Sequence, residues 1–172
     1  MPSELTTPKE WAIQLLEVAQ GATPTTIGGE ITRSFRTPGL PVPDCCPQLT
    51  VHLSGAGLLP TKTGPGGLSP GHRRTVGMVR FVRYTITVFR CAPTPNEDGT
   101  PPAISVQEAI ADIVEEDVWA IVDAVVKADA AGTLFGGKCS EFYFDGATSL
   151  DPQGGCVGWI IHFRAAMQGL VG

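Results

Sequence analysis

Charge is scarce in this chain. Lys, Arg, Asp and Glu together make up 17% of its 172 residues, against about 25% in an average globular domain. Few charges remain to keep a lone subunit soluble, which favours association with copies or partners. Long apolar runs are also lacking, and none reaches the ~18 residues that a membrane span needs. The opening MPSELTTPKEW has no basic start with an apolar stretch behind it, as a secretory leader would. The expectation is a chain made and folded in a cytosol, with no membrane partner and with cysteines reduced by default.

Catalytic and metal-binding patterns are missing as well. Cys45, Cys46, Cys91, Cys139 and Cys156 are scattered among His52, His72 and His162, with none of the paired spacings that announce zinc. Adjacent Cys45 and Cys46 are badly placed to share one tetrahedral ion. Neither GCVGW nor FDGAT contains a nucleophile elbow of the G-x-S-x-G kind, and GPGGLSPG lacks the Lys-Ser/Thr end of a phosphate loop. Three consecutive acids, Glu115 to Asp117, point in different directions on a helix and fit a solvated edge better than a cation cage. Cys91 and Cys156 lie on strand patterns, where a small buried thiol is the ordinary state, although an odd count of five leaves disulfide pairing open. The expectation is a protein that is not an enzyme, with no catalytic residue, no cofactor and no metal.

What is present is punctuation: 21 Gly and 15 Pro call for long turns and loops. Thr7, Pro8 and Glu10 form a capping box before a helix with Trp11, Leu15, Val18 and Ala19 on one face, stopped at Gly21. A short strand is expected within 27–36, followed by the proline-rich TPGLPVPDCCP. There Pro43 and Pro47 hold Asp44–Cys46 away from helix as a corner leading into a strand over 48–54. Residues 55–71 are expected as a mobile Gly/Pro-rich loop or arm. The strongest strand runs over 75–91, with Val82, Tyr84, Ile86 and Val88 on one face and a mixed, half-exposed face opposite. Ser105, Glu108 and Gly132 bracket a long helix over about 105–131, with Ile110, Ile113, Val114, Ile121, Val122 and Val125 as its apolar stripe. Strands over 139–144 and 156–167 complete a single α+β domain, residues 1–172. Its expected form is an antiparallel sheet packed by one long helix and a shorter N-terminal helix.

Charge is also divided along the chain. Residues 1–90 carry nine basic and five acidic side chains, net +4, and residues 91–172 carry three and twelve, net −9. A bipolar chain can stack head-to-tail on copies of itself. The candidate subunit interface therefore sets Arg73, Arg74, Arg80 and Arg83 against Glu115, Glu116 and Asp117 of another subunit.

Several short motifs converge on a known type. Asp44-Cys45-Cys46 with Gln48-Leu49 leads into a strand, and a later strand ends in Arg90-Cys91 followed by Pro93 and Pro95. An acidic proline turn and a long helix follow, and a Gly155-Cys-Val-Gly158-Trp159 strand closes the chain. This pattern, spanning 44–165, resembles tail terminator proteins of long-tailed (siphovirus) phages of mycobacteria and related actinobacteria. The resemblance implies a virion protein of the tail or neck, assembled in the host cytoplasm. It would form a homo-hexameric ring that caps the tail tube, stops its polymerisation and presents the head-to-tail docking surface. Implied partners are the tail tube protein, a head-side connector protein, and DNA passing through the lumen without sequence-specific binding. The alternative is another neck protein (a head completion or stopper protein) or a tail tube subunit. The acidic helix is the expected lumen lining.

Overall fold

The computed structural model describes residues 7–43, 47–60, 78–153 and 155–170. The corner Asp44–Cys46, Arg73, Arg74 and most of the expected arm lie outside these residues.

Helix α1, Pro8–Ala22, begins on the expected capping box: the Thr7 hydroxyl accepts from the Glu10 amide at 3.4 Å, and the Glu10 carboxylate accepts from the Thr7 amide at 2.6 Å. It runs past Gly21 into a 3-10 turn over Thr23–Thr25, since a glycine inside an otherwise continuous helix is tolerated. Strand β1, Ser34–Arg36, follows, then β2, Gln48–Pro60, and β3, Met78–Cys91. Helix α2 spans Ile104–Ala130, and the long hairpin β4 (Cys139–Gln153) and β5 (Cys156–Leu170) ends the chain.

The fold is mixed α+β, with two helices and one five-stranded sheet ordered β1-β2-β3-β5-β4. Pairing is antiparallel throughout except that β1 runs parallel to β2, which corrects the wholly antiparallel expectation. Residues 55–60, expected as loop, are strand. A bulge between Leu53 and Gly55 shifts the register by one residue, so Ala56 and Leu58 share the face of Val82 and Arg80 where an unbroken strand would put the glycines.

Both helices contribute to one core. Trp11, Leu15 and Ala19 of α1 and Val118, Ile121 and Val125 of α2 pack with Leu49, Val51, Val82, Tyr84, Ile86, Val88, Ile161 and Phe163 of the sheet. An aromatic chain runs through it, from Trp11 to Phe135 at 4.4 Å between centroids, to Phe142 at 5.5 Å and to Phe163 at 5.3 Å. The opposite sheet face is mixed, with Arg83 exposed and Phe81 partly so, while Thr85, Thr87 and Phe89 are buried. Two close approaches on that face use glycine. Phe81 lies over Gly57, and Phe89 lies over Gly158, whose missing Cβ would meet the Val88 carbonyl oxygen. Aromatic rings covering cross-strand glycines stabilise such positions.

Helix α2 starts at Ile104 with Ala103 as its N-cap, two residues before the expected cap Ser105, and no side chain caps it, which corrects the expected Ser105–Glu108 box; the preceding prolines already set the chain extended. It ends as expected at Gly132, at φ +68, with Thr133 N donating to Ala128 O at 3.0 Å and Gly132 N to Asp129 O at 2.8 Å, a Schellman closure. Cys156 is buried as expected but disulfide-bonded rather than reduced, and Cys91, expected as a buried thiol, is exposed at the end of β3.

Candidate subunit interface

The outer face of α2 carries the acidic half of the expected interface. Helical periodicity turns Val114, Val118, Ile121 and Val125 inward and leaves Asp112, Glu115, Trp119, Asp123 and Val126 exposed. Trp119 is 58% exposed and Val126 45%, so a large apolar side chain stands amid carboxylates. Asp123 pairs with Lys127 one turn on, at 3.1 Å. Glu115 is open to solvent. Glu116 is half-buried and its carboxylate accepts from the Ile27 amide at 2.9 Å, tying α2 to the turn after α1.

Asp117 is corrected. It is fully buried and holds Arg90, itself almost fully buried, by a two-pronged contact: Nε to Oδ2 at 2.6 Å and Nη2 to Oδ1 at 2.9 Å. Two further guanidinium N–H groups donate to the Gly28 carbonyl at 2.9 Å and the Gly29 carbonyl at 2.7 Å. The Thr26 hydroxyl donates to Asp117 Oδ1 at 2.6 Å. A buried ion pair is tolerated when its leftover donors and acceptors are satisfied in this way. Gly28 is required there, because a Cβ would lie 2.5 Å from Ile113 and 2.9 Å from the guanidinium carbon. Asp117 thus locks α2 to β3 and to the 26–29 turn, and it is not available to another subunit. Arg90, 5% exposed, is interior as well.

The basic side chains separate onto two faces. Arg80 is exposed on the sheet face that Val82, Tyr84 and Ile86 turn to the helices. Beside it Pro8, Ala56, Leu58, Val82 and Met167 line a mostly apolar cleft of about 400 Å³. Leu58 is 48% exposed. Arg83 lies on the other face and shares Asp145 with Arg164, at 3.9 Å and 3.2 Å respectively. Arg164 also stacks over the Tyr143 ring at 5.2 Å. Next to them one cross-strand row holds His52, Thr85 and His162, with the Thr85 hydroxyl 3.1 Å from His162 Nδ1. Burial, with a smaller contribution from His162, pushes the His52 pKa down.

A second apolar cleft, about 450 Å³, opens between the first turns of α2 and the β4–β5 turn, among Ile110, Val114, Leu150, Val157 and Trp159. Among the described residues no group of three or more His, Cys, Asp or Glu is placed to hold a metal, and no helix is long and apolar enough to cross a membrane. Of the seven residues expected at the interface, then, Arg80 and Glu115 are exposed and available. Arg83 and Glu116 have partners within the chain, Asp117 is interior, and Arg73 and Arg74 lie outside the described residues. The sequence reading missed Trp119. The signal was present: it stands seven residues from Asp112 and four from Glu115, off the apolar stripe.

No family model matches the chain, and no curated protein matches it. Among solved structures, one chain of a structure described as "Virion of native gene transfer agent (GTA) particle" is similar over 98% of this chain and 100% of that one, with a TM-score of 0.45 and 13% identity. A likeness that distant bears no weight for function.

Proposed function

We propose that this chain is a virion assembly protein of a long-tailed phage, a tail terminator whose ring caps the tail tube and meets the head-side connector. The observation that carries the reading is where the motif residues fall. Scattered over the sequence, they meet at one end of the sheet: Gln48 faces Phe89, Leu49 faces Val88, Val88 faces Trp159, Phe89 faces Gly158, and Cys91 faces Cys156. The motif Arg90, beside them, closes the buried lock on Asp117. The short motifs therefore describe one connected piece of architecture, which supports treating them as a single signature of fold.

The role asks for association rather than catalysis. An acidic helix face with an exposed Trp, and a separate apolar cleft beside an arginine, support a subunit that binds neighbours at two places. The test is electron microscopy of particles made by the parent phage with this gene deleted. Overlong tails detached from filled heads are expected, because tube growth would have lost its stop. Tails of normal length beside unjoined heads would overturn the reading in favour of a head-side neck protein.

A further inference from the structure

We propose that copies of this chain join head-to-tail by inserting Trp119 of one copy into the cleft between β2 and β3 of the next. The inference rests on the ring-forming reading and names the contact that would build the ring. The two surfaces differ in chemistry and in place. One is a convex helix face on which Trp119 projects between Glu115 and Asp123, one turn to either side. The other is the cleft lined by Ala56, Leu58, Val82 and Met167, with Arg80 at its edge.

Shape and charge both match. About 400 Å³ lies in the ~300–1,000 Å³ range of clefts that take drug-sized ligands, which leaves room for one indole. With the indole seated, Glu115 or Asp112 comes up against Arg80, which has no ion-pair partner among the described residues. Trp and Arg are the side chains most enriched among the few that dominate interface affinity. The other cations on the sheet are poorer candidates, since Arg83 and Arg164 already share Asp145. A protruding group and a receiving cleft on different parts of one chain form a heterologous contact. Such a contact repeats until the rotation closes a ring, or runs on as a filament.

Sedimentation analysis of the full-length protein and its variants tests this. The wild-type chain is expected to self-associate, and Trp119→Ala to weaken association by about 30-fold or more. Arg80→Glu should also weaken it, and Glu115→Lys should restore part of the loss in the double variant. Trp119→Asp and Leu58→Asp each keep one working surface. Alone, each is expected to stay monomeric; mixed, they should give a 1:1 dimer and nothing larger. A wild-type chain that remains monomeric, a Trp119→Ala variant that assembles like wild type, or a mixture that stays monomeric overturns the proposal. The deletion phenotype is independent of these results. Association through Trp119 together with normal tails would remove the terminator role and leave this interface standing. Overlong tails together with unchanged Trp119→Ala assembly would do the reverse.

Discussion

Replacing Asp117 with Ala is expected to be among the most destabilising single substitutions on α2. The Arg90 guanidinium would be left buried with only the Gly28 and Gly29 carbonyls as partners, and the Thr26 hydroxyl would lose its acceptor. Removing one member of a buried ion pair costs about 3–5 kcal/mol, a large share of the ~5–15 kcal/mol that holds a typical domain together. For a chain of this size that corresponds to a fall in Tm of about 6–20 °C. Urea unfolding followed by circular dichroism measures it, with an unchanged m-value showing that stability alone has moved. The double variant Arg90→Met with Asp117→Leu is expected to be far less destabilised than the sum of its two single changes, because no orphaned charge remains. The solvent-exposed pair Lys127–Asp123 is the control, with Lys127→Ala costing about 0.5 kcal/mol or less. If Asp117→Ala lost no more than that control, the lock would be ornamental and the assignment of Asp117 to the interior would have no energetic meaning.

Three other outcomes are expected. Gly158→Ala should lower Tm by several degrees, since the new methyl would press on the Val88 carbonyl and displace Phe89; a thermal melt within 1 °C of wild type, on an order-of-magnitude view of core overpacking, would contradict it. His52 has its folded pKa below its unfolded value of 6.5, so the unfolded state binds more protons between the two. Stability present above about pH 6.5 should then fall as pH drops below it, and His52→Gln should flatten that part of the profile, read as urea midpoints from pH 7.5 to 5. The Cys139 thiol is pushed up to about 11 by burial. Its alkylation by iodoacetamide at pH 8 should run about 100-fold slower than that of a thiol titrating two pH units lower; rapid modification by mass spectrometry would show an open site.

Local patterns carried much of the fold. The Thr7–Glu10 box, the β3 alternation and the Gly132 stop depend on near neighbours in sequence, and all three appear where their chemistry puts them. Boundaries were less legible wherever a distant strand supplied the partner. Gly55–Pro60 has the composition of a loop, yet β3 offers it a hydrogen-bonded edge. The hairpin likewise extends β4 through residues that resemble a turn.

The candidate interface divides along the same line. From the sequence came a basic first half, an acidic helix and the absence of ligand spacings, because each is a matter of composition and order. Its three acids at 115–117 are indistinguishable as letters. Only the tertiary structure, by turning the helix against β3 and the 26–29 turn, exposes Glu115, ties Glu116 to an amide and buries Asp117 on Arg90. The same rotation puts Trp119 in solvent, while the bulge at Leu53 brings Leu58 beside Arg80. Which side chains face outward depends on packing between elements far apart in the chain, and the order of residues alone does not contain that angle.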